Sequence, residues 1–174
     1  MMAKYFRLGF ILLAFGLILT ACGKTEEHEA TISVKASGNG PFFAGPNSLM
    51  ANYTVDLASL IEGQSFTAAD IKKVGVKAVN VSIPTTDSIG LDSFNNVGVQ
   101  LVSDNAPMTN IAILNPINTE GTAVVLNSSA EVDIADFFKQ ESFTILVDWD
   151  FKEDSWRANL NSNVELQLNF KIKK

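Results

Sequence analysis

Histidine and cysteine are almost missing from this chain: 174 residues hold one of each, His28 and Cys22. One cysteine cannot form a disulfide within the chain, so stability must come from packing. A zinc site of the usual Cys/His kind lacks its ligands. A Ser-His-Asp or Cys-His arrangement needs an imidazole held rigidly against a nucleophile. His28 lies among Glu26, Glu27 and Glu29, in a polar stretch that reads as a tether, so hydrolases of those classes are not expected. Basic charge is also scarce, with 13 Lys and Arg against 19 Asp and Glu and a net charge of −6. Such a surface is repelled by phosphate, which argues against nucleic acid as a partner. No apolar run reaches the roughly 20 residues of a comfortable transmembrane helix. The glycine-rich segment from Gly38 to Pro46 lacks the Gly-Lys-Ser/Thr ending of a phosphate cradle, so it is not a nucleotide loop.

What the chain does have begins at its N-terminus. Lys4 and Arg7 precede an apolar run from Leu8 to Leu19, and the small residues Thr20 and Ala21 adjoin Cys22. Positive, then apolar, then small is the order of a secretory signal. Leu19-Thr20-Ala21-Cys22 resembles the lipobox of bacterial lipoproteins. The resemblance covers residues 1–22. It implies that a diacylglyceryl group is added to the Cys22 thiol, that residues 1–21 are cleaved as a signal peptide, and that the new amine is acylated, with palmitate a typical chain. Two or more acyl chains hold a protein on a bilayer where one does not. Gly23, in place of an aspartate, implies the outer membrane as the address. Lys24-Thr25-Glu26-Glu27 is similar to the acidic export signal of Bacteroidetes surface lipoproteins and reads equally as a solvated linker, so surface and periplasmic face both stay open. Residues 1–21 carry Lys4 and Arg7 and no acid, so their loss lowers the basic count from 13 to 11 and moves the charge from −6 to about −8.

Residues 22–30 then form the lipidated cysteine and tether, and 31–174 a single domain. From Thr31 onward the apolar residues keep a period of two, as half-buried strands require. Ile32, Val34 and Ala36 alternate with polar neighbours, as do Tyr53, Val55 and Leu57. Val74, Val76 and Ala78 hold one phase and Val79, Val81 and Ile83 the other, which predicts a β-bulge. Val97, Val99 and Leu101 continue the theme, with short apolar runs at 111–114 and 123–126. The clearest strands are the last two, carried by Phe143 to Phe151 and by Val164 to Ile172, and they read as hairpin neighbours. Thr67 to Asp70 has the form of a capping box leading into a short helix, and Val132 to Lys139 offers a second, with Ile134, Phe137 and Phe138 on one side. The expected fold is all-β: an antiparallel β-sandwich of immunoglobulin-like or jelly-roll type with one or two short helices.

Candidate sites are few. Asp148 and Asp150 share a strand face, and Glu153 and Asp154 follow; hard oxygens so grouped are a weak calcium candidate, without the spacing of an EF-hand loop. The alternative is a solvated strand edge entering an acidic turn. Phe42 and Phe43, set between proline and glycine, either plug one end of the domain or contact a partner. Trp156 beside Arg157 either seals the core or stacks on a glycan or partner surface. The expected function is a non-catalytic outer-membrane lipoprotein that binds an envelope protein or glycan, with no cofactor beyond the covalent lipid on Cys22. The alternatives are a structural or accessory subunit of an envelope assembly, and a glycan hydrolase working through a carboxylate pair.

Overall fold

The structure is a computed structural model, and it describes residues 24–61, 63–128 and 131–174. The expected signal peptide, residues 1–21, and Cys22 lie outside the described residues. Eight strands, β1 (Thr25–Asn39), β2 (Gly45–Thr54), β3 (Ile71–Ser82), β4 (Phe94–Val102), β5 (Thr109–Leu114), β6 (Ala123–Ser128), β7 (Ser142–Phe151) and β8 (Asn159–Lys173), make up an antiparallel all-β domain. They close into one barrel in the order β1-β2-β7-β4-β5-β6-β3-β8. Most strands point apolar side chains inward and mostly polar ones outward, as in β8, where Leu160, Val164, Leu166, Leu168, Phe170 and Ile172 are all buried. That is the reverse of a barrel that faces lipid. An eight-stranded barrel is just narrow enough for side chains to fill it.

The closed order replaces the two separate sheets expected of a sandwich. The closure is thin. Among the described residues β1 meets β2 at a single register pair, Ser37 with Met50, and β5 meets β6 at two. The halves β6-β3-β8-β1 and β2-β7-β4-β5 are paired far more extensively within themselves.

Three further expectations are corrected. The tether expected to run to residue 30 gives way at Thr25, where β1 begins, because Glu27 and Glu29 alternate with half-buried or buried neighbours and every residue of β1 has a partner in β8. The last two long strands are not hairpin neighbours. β7 lies between β2 and β4, and β8 between β1 and β3, so residues 152–158 arch across one end of the barrel. Period-two patterning sets which face is buried; it carries nothing about which strand sits alongside. Finally, the Asp70 carboxylate does bond the Thr67 amide and hydroxyl at 2.8 and 2.7 Å, but the cap starts only a 3₁₀ turn. β-branched Ile71 then opens β3, and Lys72 and Lys73 are strand. Among the described residues one short α-helix, α1 (Leu57–Leu60), follows β2 and is capped by Asp56.

The bulge forms where the phase slips, as a register shift between Val76 and Ala78 against β8. The 3₁₀ turn Ala135–Lys139 buries Phe137 and Phe138. These rings meet Phe143 at 5.7 and 5.4 Å, and Phe138 meets Phe170 at 4.9 Å, filling one end of the barrel. Phe42, Phe94, Trp149 and Phe151 fill the other.

Candidate functional site

Strand direction sorts the loops into two poles. β1 starts beside the end of β8, where Thr25 pairs with Lys173, and finishes at Asn39 opposite Asn159. Residue 24 therefore marks a near pole. The segments 40–44, 83–93, 115–122 and 152–158 gather at the far pole. β1 has 15 residues, about 46 Å along the strand. At the usual barrel tilt of about 40° that separates the poles by about 35 Å.

The far-pole loops are tied together by backbone bonds. Phe42 and Ser155 exchange two, at 2.9 and 2.7 Å, and the Gly40 amide donates to the Ala158 carbonyl at 2.9 Å. The Ala44 amide donates to the Asp154 carboxylate at 2.9 Å. Arg157 donates to the Asp87 carbonyl, while Asp87 accepts from the Asn161 amide at 3.0 Å. Arg157 is thus a brace between loops rather than an open contact. Phe42 turns inward, 3% exposed, and stacks in parallel on Phe151 with ring centres 5.3 Å apart. Phe43 turns outward, 55% exposed. Trp156 is 79% exposed and meets Phe43 edge to face at 6.4 Å. So Trp156 does not seal the core. Its chain neighbours on both sides are fixed, and its ring projects from that fixed loop into solvent.

The four carboxylates of the calcium candidate do not converge. Asp148 accepts from Ser48 and, at 2.6 Å, from Gln100. Asp150 accepts from Asn95 and Asn96, each at 2.9 Å. Asp154 holds Ala44 and lines a trough with Glu153, Asp92 and Lys152 that neither Asp148 nor Asp150 lines. Among the described residues no three acidic or histidine side chains are placed to share a metal ion. Asp148 and Asp150 are capped by amide donors and do not face each other across a cleft.

The outer face of β2-β7-β4-β5 holds what sequence reasoning missed. Ser48, Asp148, Gly98 and Ile113 stand in one row across four strands, and Asn127 of β6 extends it. A groove of about 530 Å³ runs here, lined among others by Asn96, Gly98, Gln100, Asn110, Asn127 and Asp148. The available signal was Asn96 and Gly98 flanking and interrupting the β-branched pair Val97 and Val99. A second groove of about 600 Å³ lies on the other half, where Asn80 already donates to Glu165 at 3.0 Å.

At the near pole His28 pairs with Phe170 in the ladder and stands 3.8 Å from Glu26. Lys174 bonds Glu26 and holds its carboxyl below the usual range; the same bond raises the lysine. Lys171 at 2.9 Å, with Asn169, lowers Glu27. The Thr67 backbone and hydroxyl lower Asp70, and burial raises Tyr53.

No protein-family model and no curated protein matches the chain. Among solved structures it is similar to the 60-mer BFDV capsid protein, at 9% identity and TM-score 0.33, over 88% of this chain and 96% of that one. A carbohydrate binding module of family 29 aligns at 11% identity and TM-score 0.30, over 84% and 89%. FLHE aligns at 12% and 0.24, over 83% and 99%. Likenesses this distant do not bear on function.

Proposed function

We propose that the protein is a non-catalytic lipoprotein of the bacterial outer membrane, held by an acylated Cys22, whose domain docks an envelope partner through the Phe43–Trp156 pole. We assign the fold to the jelly-roll class, since eight antiparallel strands in halves 6-3-8-1 and 2-7-4-5 fit that double-sheet arrangement. One observation carries the docking reading. A largely exposed tryptophan sits on a loop fixed by hydrogen bonds at Ser155 and Arg157, at the pole opposite residue 24. A rigid aromatic anchor loses little entropy when it binds, which is why Trp and Tyr dominate interface hot spots. An anchor at Cys22 puts the near pole beside the bilayer and directs Trp156 away from it.

The test has two arms. Cys22→Ala in the full chain is expected to abolish fatty-acid labelling and release the protein to the soluble fraction; unchanged membrane retention would remove the anchor. A photo-crosslinker placed at Phe43 in cells is expected to trap an envelope component, and Trp156→Ala to reduce that yield at unchanged melting temperature. An undiminished yield would remove the docking pole.

A second reading, an accessory subunit joined through a sheet edge, draws on the thin β1–β2 seam. From Thr25 to Ala36 the β1 edge that faces β2 has no strand partner among the described residues. An open edge of that length is a template for strand addition.

A further inference from the structure

We propose that the groove floored by Gly98 binds an uncharged polysaccharide chain, at a site separate from the docking pole and independent of that reading.

Gly98 lies mid-strand in β4, between buried Val97 and Val99. Its backbone is outside the left-handed region, and a Cβ built there would meet only the Ala112 carbonyl oxygen, at 3.9 Å. Neither conformation nor packing requires a glycine, although glycine weakens a strand interior. What the missing side chain does is lower the floor of the groove. Glycine inside a strand marks a bulge, a tight bend or the close approach of a ligand or another backbone, and the bulge nearest Gly98 has its extra residue on β5, between Asn110 and Ala112.

The walls have the matching chemistry. Asn, Asp and Gly are depleted in strands, yet Asn96, Gly98, Asn110, Asn127 and Asp148 meet on this outer face. Each amide offers both a donor and an acceptor, the pairing that hydroxyl groups need. Asp148 is oriented by Ser48 and Gln100, and an ionised carboxylate has about four acceptor positions, so it keeps capacity for hydroxyl donors. The side-chain amides of Asn110 and Asn127 have no hydrogen-bond partner among the described residues. Ile113 and Pro46 supply apolar surface beside them, as the carbon face of a sugar ring needs.

Charge and shape narrow the ligand. Among the described residues no lysine or arginine lines the groove, and Asp148 is its one charged group. Phosphate, sulfate and uronate ligands would meet that carboxylate with no cation to offset it. An acyl chain would leave the amides unpaired. The row crosses five strands on the outer surface, about 19 Å at 4.8 Å per strand, which suits a chain lying across it.

The test is affinity electrophoresis of the full-length protein through gels containing a β-glucan, a xylan or a glucomannan, with polygalacturonate as the anionic control. Retardation is expected in at least one neutral gel and not in polygalacturonate. Gly98→Val, which fills the floor, should weaken it at least tenfold at an unchanged or higher melting temperature, and exposed Asn127→Ala should weaken it severalfold. Trp156→Ala should leave it intact, which separates this site from the docking pole. No retardation in any neutral gel would overturn the proposal, as would retardation that survives Gly98→Val or is lost only in Trp156→Ala. Gly98-dependent capture of an uncharged extended peptide without polysaccharide binding would assign the groove to protein and overturn it equally.

Discussion

Gly40 touches Arg157 so closely that a side chain has no room. A Cβ on Gly40 would fall inside the van der Waals shell of the Arg157 carbonyl oxygen and 3.1 Å from its carbonyl carbon. The obstacle is backbone, which cannot swing aside. Gly40→Ala is therefore expected to cost about 1–3 kcal/mol, the usual range for overpacking, and to loosen residues 152–158. Chemical denaturation checks the first effect. Faster hydrogen exchange at Phe42 and Ser155, whose amides bond across the same junction, checks the second.

Adjacent phenylalanines should behave oppositely. Phe42→Ala empties a buried position stacked on Phe151 and should cost about 3–5 kcal/mol. Phe43→Ala removes an exposed ring and should cost under about 1 kcal/mol. Urea midpoints of the two variants test this, and similar losses would contradict the inward and outward assignment.

The two tryptophans give a spectroscopic check. Trp149 is fully buried beside Phe94 at 4.5 Å, whereas Trp156 is largely exposed. Trp156→Phe should leave blue-shifted emission that acrylamide hardly quenches. The protein with both tryptophans should show an added red, readily quenched component. Trp149 Nε1 has no hydrogen-bond partner among the described residues, so Trp149→Phe should act through lost volume alone.

Glu26 and Lys174 set a pH window. The folded pKa of Glu26 is lowered, so its contribution is present above the unfolded value, near 4.3, and is lost as pH falls through the folded one. Lys174 is raised, so its contribution is present below about 10.4 and is lost as pH rises through the folded value. Glu26→Gln should flatten the acid limb of the stability–pH curve slightly, and Lys174→Met the alkaline limb. Both groups are exposed, so salt should erase the difference.

Much of the domain was legible because burial follows side-chain parity. Strands such as Phe143 to Phe151 and Val164 to Ile172 declare which residues face inward, and the slip at Ala78–Val79 declares its bulge. Neighbour choice is a long-range matter, which is why β7 and β8 read as a hairpin and are not one. Residues 25–30 looked like linker because their charges are dense. Pairing with β8 uses backbone groups, to which those charges are no obstacle. At the far pole Phe42 and Phe43 are alike in type; only the turn from Gly40 to Gly45 tells which one enters the core. Gly98 had a signal, a glycine where nothing local calls for one, but its meaning needed the amides that β5 and β6 bring alongside and the carboxylate from β7.

β1 is paired with β8 from Thr25 to Asn39 without a break. A pull transmitted between residue 24 and the Trp156 loop would draw β1 toward one pole and β8, entered at Asn159, toward the other. The two strands would have to slide past each other, loading many rungs at once rather than peeling them singly. The architecture is suited to bearing tension along its long axis, and far less to forces that prise open the sparsely bonded seam between β1 and β2.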